Sequence, residues 1–270
     1  MRATLRCQAL RSLQPRIASP LAIRTLRHHH SSTSRQANMN HIHQYGVFSA
    51  LMHGFSSDGA KVSEILSACD HGLGTVCGLN GEIIILDGEA YHFTPDDKLH
   101  RLQADDRMPM IVATEFKPTL SKELSTLNIG SLPQAMHPFF PTKQNNFMAV
   151  RIDGFFRNIT YRIGGPQLRP KEPLLELAKR QVTKSYENTT GTLFGFYSPP
   201  YMNGVAVAGF HLHFLSDDRT AGGHVLSFEG ENVSLKAAVN TQLHLEFPDS
   251  EKFNEEPILP ESAGDLHLAE

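Results

Sequence analysis

The chain has 270 residues, of which 40% are hydrophobic, and it contains no long apolar run. It can therefore bury the core of one large domain or two small ones, and its composition is neither that of a membrane-spanning protein nor that of a wholly disordered one. The net charge is −3, and because many of the arginines lie in the first forty residues, the rest of the chain is acidic. An acidic body gives no reason to expect a nucleic-acid partner.

The first forty residues differ from the rest in composition. They contain many Ser and Thr residues and no acidic residue, because the first acidic residue of the chain is Asp58. Their arginines are Arg2, Arg6, Arg11, Arg16, Arg24, Arg27 and Arg35. An arginine-rich, acid-free start is typical of a mitochondrial transit peptide. A basic arm that binds nucleic acid is the alternative interpretation. We predict that residues 1–40 are a transit peptide, that they stand outside the fold, and that the protein lies in the mitochondrial matrix.

Residues 41–165 have the pattern of a β-sheet with a few helices. Helical spacing of apolar residues predicts short helices at 45–54, 61–68 and 119–127. β-rich runs predict two strands within 81–93 and one each at 109–116 and 146–152. Asp87-Gly88 and Asp153-Gly154 each predict a hairpin, because Asp-Gly suits the tight turns that join antiparallel strands.

The second half of the chain is predicted to be mostly antiparallel β. A Pro- and Gly-rich stretch at 164–173 is the best candidate for a boundary between the halves. A short helix is predicted after it at 174–182, and strands at 191–197, 205–215, 224–228, 233–239 and 242–247. The tail from residue 248 onwards has little pattern. Together the two halves predict an α+β protein with mixed and antiparallel sheets and a few helices.

The stretch from residue 209 to 226 is predicted to be a metal-binding β-hairpin. Strand alternation sends its apolar side chains to one face and both His211 and His213 to the other. The polar run 216–223 predicts a turn, and a return strand begins at His224. In simple register His213 lies opposite His224, with Cβ atoms roughly 5 Å apart. The three imidazoles can then converge on one ion.

Three imidazole ligands leave coordination positions open, which is the arrangement of catalytic zinc sites. Zinc is the first choice of metal, although imidazole also suits copper, nickel and iron. A histidine taken singly is more often a hydrogen-bonded core or surface residue. The alternation distinguishes these three because it brings them together.

Three other residues are candidates for chemistry. Arg151 is a single charge in an apolar strand and could bind a substrate carboxylate as a bidentate fork. Glu82 opens an apolar strand, where a lone acid must be paired, hydrated or functional. Thr75 stands in a glycine-rich loop. Each of the three, taken singly, also fits an ordinary structural role.

Taken together, these segments resemble the acetolactate decarboxylases, which convert 2-acetolactate to acetoin and carbon dioxide. The hairpin at 209–226 matches the family's zinc motif at all three histidines, and supporting matches are Gly74-Thr75 followed by Glu82, the run 150–154 around Arg151, and the run 191–199. The resemblance implies zinc on His211, His213 and His224, with Thr75, Glu82 and Arg151 in the same pocket. It also implies a glutamate near the C-terminus, here Glu270, that folds back to the metal.

The resemblance further implies two sheet domains and a homodimer. Combined with the candidate boundary, this predicts an N-terminal mixed-sheet domain at 41–165 and a C-terminal antiparallel domain at 166–270, which carries the metal hairpin and the tail. Neither a membrane nor a nucleic acid is expected as a partner.

The mechanism that we expect is decarboxylation through a metal-stabilised enediolate. Loss of carbon dioxide places negative charge on the former ketone oxygen, so catalysis needs a Lewis acid there. Arg151 is expected to hold the substrate carboxylate, and Glu82 or Glu270 to protonate the enediolate. Two other classes stay open from the residues alone: a cupin-like metal oxygenase, which would consume oxygen, and a non-catalytic β module that the metal stabilises.

Overall fold

A computed structural model describes residues 40–96, 98–259, 262 and 264. The predicted transit peptide lies outside these residues apart from Asn40, and so does Glu270. All described residues fall within one compact unit.

Strands dominate the described residues, and the helices are short. The strands are β1 (Asn40–Tyr45), β2 (Ala60–Lys61), β3 (His71–Thr75), β4 (Glu82–Leu86), β5 (Glu89–Phe93), β6 (Leu99–Arg101), β7 (Arg107–Met108), β8 (Met110–Thr114), β9 (Leu120–Asn128), β10 (Phe147–Ile163), β11 (Val182–Ser198), β12 (Gly209–Ser216) and β13 (Gly222–Glu246). The helices are α1 (Phe48–Met52), α2 (Val62–Leu66), α3 (Leu132–Ala135), α4 (Phe139–Thr142) and α5 (Leu174–Ala178). Among the residues described, no helix has the length and apolar character needed to cross a membrane.

Eleven of these strands form one hydrogen-bonded sheet across the described part of the chain. Its order is β10-β11-β12-β13-β1-β8-β3-β4-β5-β6, with β9 paired to β13 and with β2 and β7 forming a separate two-stranded sheet. The pairing of β1 with β13 is parallel, whereas β1 with β8 and β3 with β4 are antiparallel. The large sheet is therefore mixed, and its parallel pair joins the first strand to the last.

The longest strand, β13, organises the second half of the molecule. It pairs with β12 at its start, with β10 along most of its length, and with β1 at its end. Because β10 also pairs with β11, and β11 with β12, these four strands form a closed circuit. Strands β3 and β4 approach this circuit, and their Leu73 and Ile84 share one apolar core with Phe214 of β12.

The mostly β architecture with few helices agrees with the sequence prediction, but the division into two sheet domains is not confirmed. Described strands on both sides of residues 165–166 belong to the same sheet, since β13 pairs with both β1 and β10. Long-range pairing of this kind has no signature in a local pattern. The domain boundary itself stays a prediction.

The helix predicted at 119–127 is wrong, because this stretch forms β9 and pairs with β13. Leu120, Leu124 and Leu127 have helical spacing in the sequence. In the strand, however, half-buried and exposed positions alternate from residue 120 to 125. Lys122 occupies one of the half-buried positions, and its ammonium group donates to the backbone oxygens of Ala135 and His137 at 2.8 Å. Because the charged Lys122 occupies a position where a strand pattern would have an apolar residue, the sequence does not show the alternation that indicates a strand.

The two Asp-Gly dipeptides have different structures. Asp87 and Gly88 both have positive φ, at 52° and 80°, and join β4 to β5 as the predicted tight hairpin. The hairpin predicted at Asp153-Gly154 is wrong, since β10 continues through it to Ile163. The register against β13 shifts there, Gly154 has a φ of 151°, and a Cβ on it would lie 3.0 Å from the Cα of Val233. This glycine permits an irregularity within a long strand rather than a turn.

Short helices are confirmed near the other predicted positions. α2 lies within 61–68 and α5 within 174–182, whereas the stretch 45–54 contains only the five-residue α1 because Tyr45 ends β1.

Candidate active site and metal centre

The hairpin predicted at 209–226 is formed by β12 and β13. His213 is the direct cross-strand partner of His224, so the predicted register is confirmed. The turn between the strands is held by Ser216, whose Oγ accepts from the backbone N–H groups of Thr220 and Ala221. This local hydrogen bonding fixes the return strand in the register that brings the two imidazoles together.

His211, His213 and His224, here called the histidine trio, have the geometry of a metal site. Potential ligand atoms of all three lie within 4.8 Å of one another. The Nε2 atoms of His211 and His213 are 3.2 Å apart. Two ligand atoms bound at about 2.0–2.1 Å to a tetrahedral ion are roughly 3.4 Å apart. The trio could therefore bind a metal ion with little rearrangement.

A hydrogen bond outside the trio sets the tautomer of His213. Its Nδ1 lies 2.7 Å from the backbone oxygen of Ile83. Because a carbonyl oxygen only accepts, Nδ1 must carry the proton, and Nε2 is left with its lone pair toward the other two rings. Metal-binding histidines characteristically have such a partner, which orients the ring.

Burial keeps the trio neutral. His213 and His224 are only 1% and 7% exposed. Burial lowers the pKa of His213 to about 4, and it also lowers the pKa values of His211 and His224 well below 6.5, with the nearby Arg162 charge and the other imidazoles adding to the effect. Neutral imidazole is the form that binds metals, so protons compete weakly for these ligands at neutral pH.

The trio opens into a cavity of about 710 Å³, including its solvent-filled mouth. Besides the trio, polar groups in its wall come from Thr75, Glu82, Arg162 and Gln181, and the rest of the wall is largely apolar. A small, mostly apolar cavity with a few convergent polar groups is the usual form of a small-molecule site.

Glu82 lies beside the trio. Its Oε2 is 3.6 Å from Nε2 of His213, and its Oε1 accepts from the backbone N–H of Gly164 at 3.2 Å. Burial raises the pKa of Glu82 to about 7, against the opposing effects of the Arg162 charge and the Gly164 N–H. A carboxyl group with this pKa can hold or release a proton near neutral pH.

Thr75 ends β3 and is 8% exposed. Its Oγ1 donates to the backbone oxygen of Gly81 at 2.9 Å. Since the hydroxyl proton is used in that bond, Oγ1 can only accept from a ligand.

Arg151 was predicted to lie in the pocket with Thr75 and Glu82, but it does not line the cavity. Its Nε donates to both carboxylate oxygens of Asp153, at 2.9 and 3.0 Å, and its NH1 contacts Asp87 at 2.7 Å and Nε2 of His71 at 2.8 Å. These contacts tie β10 to β3 and to the β4–β5 turn. The lone charge in the apolar run is thus part of an ion-pair network outside the cavity.

The arginine in the cavity wall is Arg162, eleven residues further along β10. It is 6% exposed and is the direct cross-strand partner of His224. His213, His224 and Arg162 therefore form one row across β12, β13 and β10. The sequence signal used for Arg151, a single charge in an apolar run, is also present at Tyr161-Arg162-Ile163. It was missed because the predicted strand ended at residue 152.

Comparison of this chain with known proteins shows the family to which it belongs. The family model described as alpha-acetolactate decarboxylase matches residues 42–259. The chain belongs to this family. The alpha-acetolactate decarboxylase of Bacillus licheniformis is 32% identical over 217 residues, which are 80% of this chain and 85% of that protein. The crystal structure of the alpha-acetolactate decarboxylase from Bacillus subtilis strain 168 has a TM-score of 0.81 and 31% identity, over 85% of this chain and 98% of that one.

Membership of the acetolactate decarboxylase family makes the protein a carboxy-lyase that acts on a small molecule, acetolactate. The predicted mitochondrial location and transit peptide are contradicted by the same comparisons, because the relatives are bacterial or archaeal. An arginine-rich, acid-free composition is not specific enough to identify a targeting signal. The predicted role of Glu270 falls outside the described residues and stays a prediction.

Proposed function

We propose that the protein is a zinc-dependent enzyme that decarboxylates 2-acetolactate to acetoin and carbon dioxide. The observation that carries the proposal is the presence of three neutral imidazoles, the Glu82 carboxyl group and the Arg162 guanidinium around one cavity in a member of this family. Together these groups match what the reaction requires: a metal, a proton source and a site for a carboxylate.

Zinc fits the donor set. Three neutral imidazoles at tetrahedral spacing are a common set of zinc ligands, and they leave at least one coordination position for substrate. Bound there, zinc would act as a Lewis acid toward the negative charge that loss of carbon dioxide places on the substrate's oxygens in the enediolate.

Arg162 replaces Arg151 as the proposed carboxylate-binding residue. A guanidinium stays charged when it is buried and can donate two parallel hydrogen bonds to a carboxylate. Its place beside His224 in the same row of the sheet puts it next to the metal ligands. A substrate bound beside the trio would then have its carboxylate next to Arg162, while the three imidazoles would hold the zinc that supplies the Lewis acid.

Glu82 is the proposed proton donor among the described residues. A carboxyl group whose pKa is raised to about 7 holds a proton for part of the time at neutral pH, and it can deliver this proton to the carbon that loses carbon dioxide. Thr75 would accept a hydrogen bond from the substrate hydroxyl through Oγ1. Glu270 is retained as the second candidate donor on the strength of the sequence resemblance.

The test is a metal analysis coupled to an acetoin assay on the full-length chain. Purified protein should contain about one zinc per chain, lose acetoin formation on chelation, and regain it when zinc is added back. His213→Ala should lose bound zinc and activity together, while far-UV circular dichroism keeps its β signature. Full turnover in the metal-free protein would contradict the zinc proposal, and oxygen consumption in place of acetoin would favour an oxygenase. The predicted homodimer can be checked on the same sample by sedimentation.

A further inference from the structure

One stretch of chain touches both charged groups of the cavity. Residues 164–181, here called the cover segment, leave β10 and return to β11, and carry α5 between them. At its start, the backbone N–H of Gly164 donates to Glu82. Its later part contributes Leu174, Leu177 and Ala178 to the apolar wall.

At its end, the cover segment contacts Arg162 through Gln181. The NH1 group of Arg162 donates to Oε1 of Gln181 at 2.7 Å. Gln181 also lines the cavity. Its backbone is held on both sides, since its N–H contacts the Ala178 oxygen at 3.4 Å and the next residue begins β11 in register with Ile163 of β10. The guanidinium is therefore hydrogen-bonded to a side chain whose backbone is anchored next to β11.

An amide suits this position better than a carboxylate. A guanidinium is a planar group with five N–H donors, so a hydrogen bond at one nitrogen restricts the plane in which the others point. The neutral oxygen of Gln181 supplies that restraint. A carboxylate at residue 181 would pair with the same guanidinium and compete with an anionic ligand for it.

We propose that Gln181 is a positioning residue, which holds the Arg162 guanidinium in the orientation that binds the carboxylate of the substrate. This inference rests on the proposed function, in which Arg162 binds that carboxylate. It assigns to the cover segment a role in substrate recognition in addition to closing the cavity wall.

The experiment compares Gln181→Met with the wild type as zinc-loaded, full-length protein. The methionine has similar volume but cannot accept the guanidinium hydrogen bond. We expect KM for acetolactate to rise about tenfold, which corresponds to about 1.4 kcal/mol, with kcat changed less than about threefold. The inhibition constant of 2-hydroxy-2-methylpropanoate, which carries the carboxylate, should rise similarly, and that of neutral acetoin should stay the same. Zinc content should be unchanged.

A second variant, Gln181→Glu, supplies a readout that a purely structural role would not produce. Its KM should exceed that of Gln181→Met at pH 7 and should fall relative to the wild type as the pH is lowered through the pKa of the new carboxyl group, because protonation of that group releases Arg162. A KM that is independent of pH relative to the wild type would count against positioning through Arg162.

Gln167→Met is the matched control. Gln167 is in the same cover segment and bonds to the backbone oxygens of Gly54 and Glu172, away from the cavity wall. It should leave KM and both inhibition constants unchanged. The proposal is overturned if Gln181→Met binds acetolactate and the hydroxy acid like the wild type, or if Gln167→Met raises KM equally. A wild-type enzyme that forms no acetoin would instead overturn the proposed function, and calorimetric binding of 2-hydroxy-2-methylpropanoate would still test Gln181 separately.

Discussion

Arg162 on β10 is the direct cross-strand partner of His224 on β13. His224 in turn faces His213 on β12, so that a guanidinium and two imidazoles of the histidine trio occupy one row across three neighbouring strands. Directly paired residues of adjacent antiparallel strands point to the same face of a sheet. The register of β10, β13 and β12 therefore brings the proposed carboxylate-binding residue and the proposed metal ligands together on one wall of the cavity.

Replacement of Arg162 should reduce substrate binding. Arg162→Met removes the charged donor from the cavity, and we expect kcat/KM for acetolactate to fall by about a hundredfold or more, on the order of the 2–3 kcal/mol of a charge-assisted pair. Steady-state kinetics with zinc analysis would measure it. The control is Arg157→Met on the same strand, since Arg157 pairs with Glu231 at an exposed site. Equal losses in the two variants would exclude a specific role for Arg162.

Replacement of Arg151 should reduce stability rather than activity. Arg151→Met leaves Asp153 and His71 without the donor that joins them, and side chains that lose a partner at a half-buried site cost about 1–3 kcal/mol. Urea unfolding should show this loss in the free energy of unfolding, while KM of the folded variant stays near the wild-type value. A large rise in KM at unchanged stability would contradict this prediction and indicate that Arg151 takes part in substrate binding.

Glu82→Gln should slow the chemical step and keep the metal. The amide is nearly the same size but carries no transferable acid proton, so we expect kcat to fall by about 10²-fold, the lower end of the range for general acid catalysis. Zinc content should match that of the wild type. Glu176→Gln, at a residue in α5 whose side chain pairs with Lys179 at the surface, is the control. Loss of zinc in the Glu82 variant would indicate a ligand role instead.

The chelator-treated protein should become less stable as the pH falls below about 6.5. The folded pKa values of the histidine trio lie below the ordinary value of 6.5, so the unfolded chain takes up protons there that the folded protein does not. Each such proton changes the free energy of unfolding by about 1.4 kcal/mol per pH unit. Between about pH 4.5 and 7, Glu82 has the opposite effect on stability, because its raised pKa lets the folded state hold one proton that the unfolded chain releases. Three protons outweigh one, so stability should rise with pH in this window.

Chelator-treated His224→Gln isolates this effect from the other titrating groups. It removes one of the three histidines, and the slope of unfolding free energy against pH between 5 and 6.5 should fall by up to about 1.4 kcal/mol per unit. Urea titrations at several pH values give both slopes. Identical slopes would show that His224 is protonated alike in the folded and unfolded states.

The sequence by itself determined the local parts of the site. Alternation and a polar turn predicted the hairpin of the histidine trio, because side-chain direction in a strand and the chemistry of a tight turn depend on neighbouring residues only. The same holds for the Asp87-Gly88 hairpin and for α2 and α5. The motif around the trio, together with the supporting matches around Thr75, Glu82 and Arg151 and at 191–199, also indicated the decarboxylase family.

Only the tertiary structure decided which arginine serves the cavity. Arg151 and Arg162 carry the same local signal, a single charge in an apolar run. The pairing of β10 with β13, more than sixty residues away in the chain, places one beside His224 and the other among Asp87, Asp153 and His71. The conversion of the predicted helix at 119–127 into β9 and the joining of both halves in one sheet have the same origin. Hydrogen bonds between strands that are distant in the sequence decide these features, even where the local spacing of residues favours another structure. A sequence pattern contains only the local spacing, so it does not predict these pairings.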